Sequence, residues 1–402
     1  MPAARTAAPE FPAAALAAPL PAAGGWVAPE AGADIASRKN DHLRIALHDQ
    51  RVQQPGAGNG LGPLRFEMQS LPELDLDAVD LRCTLLGKTL RGPLLIGAMT
   101  GGSTEAGQVN RILAEAAERC QVGFCLGSQR PMLSLAPNQV ASFALRDVAP
   151  TTLLLGNLGG IQLRDAAASG GGAGQVLGSL AQAVGADAMY VHVNPLQEAV
   201  QPEGDRDWRG VLDAIAEAAE AAPVPVLVKE VGAGLGPHTL RQLAALALAG
   251  VETAGVGGTS WSQMEALRHT ERTPRQIAGQ VLAGFGTPTA ESVVHARRAF
   301  PDRVVIASGG LRDGLELAKC LALGATAGAM AWPFLRAAQH GVDAVVTEIE
   351  GVLETLRVTM FLAGASNVAA LREVRMVDTR TGLPHPVAHL PGGFAPRPHG
   401  VP

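Results

Sequence analysis

The run HVNPLQE places His192, Asn194, Gln197 and Glu198 directly behind the apolar stretch AMYV. In a strand whose side chains alternate in direction, His192 and Asn194 emerge on one face, and Pro195 ends the strand. A second strand-like run, VLVKEV, carries Lys229, an ammonium that is costly to bury. A structural lysine there would need a buried carboxylate partner, so the sequence favours a functional role. Glu230 points to the opposite side, where it could pair with an outer helix. Ser128 and Arg130 stand in GSQRPML, where a guanidinium can hold phosphate oxygens through two parallel bonds. Arg38, Lys39 and His42 come from RKNDHLRIAL, just before an expected helix; taken alone, such a run reads as a solvated face. Several separate cations around one mouth would suit a diphosphate.

These groups need elements to position them. From Pro93 onward, short apolar runs alternate with Ala/Leu-rich segments of helical length, the pattern of a parallel sheet covered by helices. The expected strands are LLIGAM (94–99), VGFCLG (122–127), TLLLGN (152–157), AMYVHV (188–193), PVLVKE (225–230), TAGVGG (253–258), RVVIAS (303–308) and TAGAMA (326–331). SLAQAVG, VLDAIAEAAEAA, TLRQLAALALAG, TAESVVHARRAF and GLELAKCLALG read as the intervening helices. An open doubly wound sheet gives a similar alternation. The placement of the polar signatures favours a closed (β/α)₈ TIM barrel, an α/β fold whose active site lies at the C-terminal ends of the strands. SGGLRDG (308–314) and GAMAW (328–332) follow the seventh and eighth strands. Their glycines could simply make tight turns, but that position is where a barrel commonly binds phosphate, which favours a phosphorylated cofactor.

Of the 402 residues, 47% are apolar and 17% charged, with a formal net charge of −5, which argues against a general nucleic-acid surface. Cys83, Cys120, Cys125 and Cys320 form no CxxC pair and no zinc spacing, consistent with a reduced, cytoplasmic protein with small buried thiols. Residues 1–33, rich in Ala and Pro, and 378–402 read as disordered tails around a single barrel domain of residues 34–377. Prolines interrupt any signal helix near the start. No apolar run reaches the roughly 18 residues of a membrane span.

Taken in order, RKNDH, GAMTGG, GSQR, GNLGG, HVNPLQEAVQPEGD, VKEVGAG, GGTSW and ASGGLRDG resemble the type 2 isopentenyl-diphosphate isomerases, from about Arg38 to Arg336. The resemblance implies interconversion of isopentenyl and dimethylallyl diphosphates with reduced FMN, Mg²⁺, and NADPH as reductant, in a homotetramer or octamer. It assigns Arg38, Lys39, His42, Ser128, Arg130, His192, Asn194 and Gln197 to the diphosphate substrate, with Trp261 near its hydrocarbon part. Glu198 would hold Mg²⁺, which needs few protein ligands because it keeps waters and takes diphosphate oxygens. FMN would meet Ala98, Met99, Thr100, Ser128, Asn157, Lys229, Thr259, Gly309, Gly310, Ala331 and Trp332. Lys229 would lie beneath the flavin and stabilise negative charge at its N1/C2=O end. The flavin N5 would handle one proton, with Gln197, Glu198 and His192 as the catalytic side chains and Gln197 and Glu198 as a relay for the second. Glu203, Asp205 and Asp207 are left as a solvated loop.

One departure is AGFGTPT (283–289), where the family often has Asp-Trp-Gly-Ile-Pro-Thr; Phe285 replaces the tryptophan and puts the packing of that loop in question. An FMN-dependent α-hydroxy-acid oxidase or dehydrogenase is the rival reading. Such enzymes need a histidine with an adjacent arginine after the sixth strand, where this chain has GVGGTSWSQ. A flavin-free sugar-phosphate barrel and an inactive scaffold remain further alternatives.

Overall fold

The structure, a computed structural model, describes residues 35–382 except 54–57, 135–139 and 269–270. The expected tails therefore lie outside the described residues, save 378–382. Asp378 ends a short strand, Met376–Asp378, antiparallel to Leu64–Phe66, so ordered pairing reaches one residue into the segment expected as a tail.

Eight parallel strands close into a barrel: β1 (Leu94–Ile96), β2 (Gly123–Cys125), β3 (Leu154–Gly159), β4 (Ala188–His192), β5 (Val226–Lys229), β6 (Gly250–Glu252), β7 (Val304–Ala307) and β8 (Ala327–Met330), with β8 pairing back onto β1. The open-sheet alternative falls with that pairing. Seven strands overlap the apolar runs expected for them. The sixth does not: the run 253–258 lies beyond β6. There Ala254 takes φ +39° and Gly257 φ +129°, so the backbone leaves the ladder just after Glu252. The third expected helix also ends early, at Ala244 within Pro237–Ala244, and the Leu/Ala residues after it lead into β6.

Period 2 divides each strand between two cores. Leu95, Cys125, Leu155, Tyr190, Leu227, Ile306 and Ala329 fill the barrel interior. The alternate positions pack outward against the helices: Ile96, Phe124, Leu154, Met189, Val191, Val226, Val228 and Val305 join the larger cluster. The longest helix, Val342–Leu362, buries Val345, Ile349, Val352, Leu356 and Met360, spaced three and four apart along one stripe.

The first described helix, α1 (Ile35–His48), contains Arg38, Lys39 and His42 rather than following them. Arg38, His42 and Ala46 repeat every fourth residue, and Lys39 and Leu43 lie beside them, so one face of α1 covers the mouth. The run expected as a solvated face is thus turned inward by the barrel it crosses. Three of the four cysteines are buried, Cys83 is half-buried, and none is paired. No helix among the described residues is long and apolar enough to cross a membrane.

Candidate active site

Above the apolar interior, the next inward residue of four strands is polar. Asn157 follows Leu155, His192 follows Tyr190, Lys229 follows Leu227, and Ser308 follows Ile306. The parallel register sets Gly159, His192, Lys229 and Glu252 side by side on β3 to β6. His192, Lys229 and Glu252 of this rung floor a cavity of about 260 Å³ at the C-terminal ends of the strands. All the residues assigned from sequence line it: Arg38, Lys39, His42, Ala98, Met99, Thr100, Ser128, Arg130, Asn157, His192, Asn194, Gln197, Glu198, Lys229, Thr259, Trp261, Gly309, Gly310, Ala331 and Trp332.

Lys229 has the carboxylate partner that a structural lysine would need. Its Nζ lies 2.9 Å from Glu252 Oε1, and Glu252 is 1% exposed. Burial alone therefore does not mark Lys229 as functional, but it does line the cavity. Glu230 pairs with no outer helix. Its fully buried Oε2 accepts the backbone N–H groups of Val231, Gly232, Ala233 and Gly234 at 2.5–3.0 Å, tying the loop after β5 into a turn.

His192 Nδ1 meets Asn157 Oδ1 at 2.9 Å, while Asn157 Nδ2 is committed to the Leu126 carbonyl at 3.1 Å. The amide oxygen thus faces the ring, and Nδ1 carries the proton. Burial, then the charges of Lys229, Lys39 and Arg130, press the imidazole down to about 3. A neutral ring that offers Nε2 as an acceptor brings no charge of its own to an anion.

Pro195 opens the short helix Pro195–Val200, where a missing N–H costs nothing. The helix puts Asn194 and Glu198 one turn apart, and Asn194 Nδ2 donates to Glu198 Oε1 at 2.9 Å. The Asp205 N–H donates to the other oxygen at 2.8 Å. Burial raises the Glu198 carboxyl above its ordinary value, with these two bonds opposing the rise. Gln197 Nε2 instead donates to Glu265 Oε1 at 2.8 Å.

Glu265, like Glu252, is a residue that the sequence did not single out. It is buried on the helix Trp261–Leu267, with His42 Nε2 at 3.0 Å and Arg268 Nη1 at 2.6 Å. Burial pushes its carboxyl up, but His42, Arg268 and Gln197 outweigh that and hold it at about 2. Glu203 and Asp205 also depart from the expected solvated loop. Glu203 pairs with Arg268 at 3.1 Å and Arg38 at 3.4 Å, and Asp205 with Arg130 at 3.4 Å. Glu203 nevertheless stays exposed, and Asp207 is a surface acid paired with Arg209. Phe285 is 65% exposed, so losing the family's tryptophan there leaves no gap in the core.

Lys39 lies close to both Arg38 and Arg130. Its Nζ donates to the Ser128 carbonyl at 3.0 Å and stands 5.5 Å over the Phe143 ring. Burial, with Arg38 and Arg130 nearby, lowers it from 10.5 to about 7.

The cavity fits a flat, polar-edged cofactor with a phosphate. Thr100 Oγ1 is buried without a hydrogen-bond partner, as expected of a group reserved for a ligand. Gly309 and Gly310 take φ +105° and +75°, and a Cβ on Gly309 would come within 2.0 Å of the Gly255 carbonyl. Only glycine lets this backbone line the cavity after β7, where Arg312 joins it. No group of three or more His, Cys, Asp or Glu among the described residues could hold a metal by itself. A single carboxylate sharing a hard cation with ligand oxygens is compatible with Glu198.

A barrel with its polar rung and glycine loop at the C-terminal face defines a class, and solved structures share the fold. A mandelate oxidase variant with (S)-mandelic acid superposes with a TM-score of 0.57 at 18% identity, covering 84% of this chain and 93% of that one. A second, with 4-Br-2-hydroxy-methylphenylacetate, gives 0.56 at 17%, covering 87% and 100%. Residues 194–378 match the FMN-dependent dehydrogenase family model. An isopentenyl-diphosphate delta-isomerase of Stutzerimonas stutzeri is 44% identical over 344 residues, 86% of this chain and 97% of the relative. That of Cronobacter sakazakii is 43% identical over 346 residues (85% and 97%), and that of Mycobacterium marinum 42% over 356 (87% and 99%). The chain belongs to the type 2 isopentenyl-diphosphate delta-isomerase family.

Proposed function

We infer that the chain interconverts isopentenyl diphosphate and dimethylallyl diphosphate, using reduced FMN, Mg²⁺, and NADPH as the reductant. The observation that carries the reading is one cavity with Arg38, Lys39 and Arg130 on one wall and Gln197, held by Glu265, on another, in a chain 44% identical to a curated isomerase over almost its whole length.

Reduced FMN supplies an acid–base position at N5 beside a flat, electron-rich ring, and Thr100, Asn157, Lys229, Thr259, Gly309 and Gly310 are the residues that would hold it, with Ala98, Met99, Ser128, Ala331 and Trp332 around its edge. Arg38, Lys39 and Arg130 bind the diphosphate, assisted by Ser128 and Asn194. Release of Arg38 and Arg130 from Glu203 and Asp205 frees both guanidiniums for that task. Glu198 is the residue that would hold Mg²⁺, which would neutralise charge on the diphosphate. Trp261, edge-on to His42 with ring centroids 5.1 Å apart, covers the hydrocarbon and excludes water from a cation-like carbon. Gln197 is fixed from two sides, its Nε2 donating to Glu265 Oε1 at 2.8 Å and its Oε1 accepting from Asn194 Nδ2 at 3.1 Å, so that the amide is held in place beside the substrate during the second proton transfer. Neutral His192 holds Asn157 in place and offers Nε2 as an acceptor.

The test is anaerobic incubation with FMN, NADPH, Mg²⁺ and isopentenyl diphosphate, followed by product analysis. Dimethylallyl diphosphate supports the reading; oxidation of an α-hydroxy acid with no isomerisation would favour the rival. Purified protein that never retains a yellow flavin would favour a flavin-free barrel. Light scattering checks the accompanying homo-oligomer, a tetramer or octamer.

A further inference from the structure

Lys229 and Glu252 end neighbouring strands in register, so both side chains project into the cavity from the same rung. Glu252 Oε1 takes both the 2.9 Å contact with Lys229 and a 2.7 Å hydrogen bond from Ser308 Oγ. In the barrel interior the Tyr190 hydroxyl interacts with Glu252 and with Cys125. Lys229 Nζ has one further acceptor, the Glu230 carbonyl at 2.9 Å. The neighbouring members of the layer, Asn157 and Ser308, carry no charge, and His192 is neutral.

A buried ion pair is a poor way to gain stability, since neutral side chains of similar volume hold a core as well or better. A pair kept on the floor of a cofactor cavity, where Lys229 would otherwise present a bare positive charge, has an electrostatic consequence instead. We propose that Glu252 sets the charge of the cavity floor: it offsets the positive charge of Lys229 where the flavin would be held, keeping the floor electrically neutral and the bound flavin harder to reduce than a lone lysine would make it. This rests on the FMN reading above. A site built for an electron-accepting oxidase gains from a positive floor, whereas an isomerisation involves no net electron transfer and gains from an electron-rich ring.

The experiment measures the midpoint potential of bound FMN against a reference dye, anaerobically, in wild type, Glu252→Gln, Lys229→Met and the double variant. Wild type must first quench flavin fluorescence; if it does not, the FMN reading fails and the present one with it, in a way the variants would not produce. With flavin bound, Glu252→Gln should bind reduced FMN about tenfold more tightly relative to oxidised FMN, a rise of about 30 mV for a two-electron couple. Lys229→Met should lower the potential, and the double variant should return to the wild-type value. Should Glu252→Gln fail to fold, the difference between Lys229→Met and the double variant decides. An unchanged potential in Glu252→Gln, or equal potentials in Lys229→Met and the double variant, overturns the proposal, because a purely structural pair would not move the flavin's potential.

Discussion

Lys39 should make diphosphate binding take up a proton. Its ammonium sits near Arg38 and Arg130 with no carboxylate of its own among the contacts described, and it is lowered from 10.5 to about 7. At about 1.4 kcal/mol per pH unit, that fall corresponds to about 5 kcal/mol of unfavourable burial and like-charge repulsion. A diphosphate placed among the three cations reverses the repulsive part and raises Lys39 again. The sign follows: well below pH 7 the lysine is already charged and binding takes up nothing, whereas at pH 8 only about one-tenth is charged, so binding should draw in about 0.9 proton. Affinity should accordingly fall about tenfold per pH unit above 7, until the pH reaches the raised value in the complex. Calorimetric titration of dimethylallyl diphosphate at pH 8, in two buffers with different heats of ionisation, reads the uptake. Lys39→Met should abolish that component and weaken binding about 10- to 100-fold, as expected for losing a charge-assisted contact. The same proton uptake in wild type and Lys39→Met would refute the reasoning and move the titrating group elsewhere, His192 being the next candidate.

Glu198→Gln should leave flavin binding intact while sharply reducing Mg²⁺-dependent turnover; full activity at limiting Mg²⁺ would remove Glu198 as the metal ligand. Glu265→Gln should cost roughly 10²-fold in kcat with flavin still bound, a magnitude typical of losing one positioned acid–base group, as steady-state kinetics would read. Because its carboxyl is depressed, Glu265 stabilises the fold above the ordinary carboxylate range, and that stabilisation is lost as pH falls toward about 2; the variant's acid-unfolding profile should lack it. Glu230→Ala strips four backbone N–H groups of their acceptor and should cost about 3 kcal/mol or more in urea unfolding. A loss under 1 kcal/mol would mean the loop satisfies those groups some other way.

The order of the apolar runs and the polar signatures at their ends were enough to give the barrel, because strand periodicity and turn chemistry are local. The same signatures carried the family. A strict alternation also put His192 and Lys229 on an inward face before any partner was known. What lay beyond sequence was every relation between strands. Glu252 belongs to VETAG, a run with no strand pattern of its own, and only the β5–β6 register reveals it as the partner of Lys229. Glu265 lies in an ordinary helical stretch and acquires its role because α1 and the helix after β4 close on it from two sides. The charged run at Arg38 reads as solvated until a barrel mouth is placed beneath it, and Glu203 and Asp205 read as loop acids until cations from distant segments arrive. Residue type and spacing along the chain determine which groups reach the C-terminal face. Which of them carry charge there is decided by burial and by neighbours tens to hundreds of residues away, since a lysine alone and a lysine beside a buried carboxylate are different electrostatic objects.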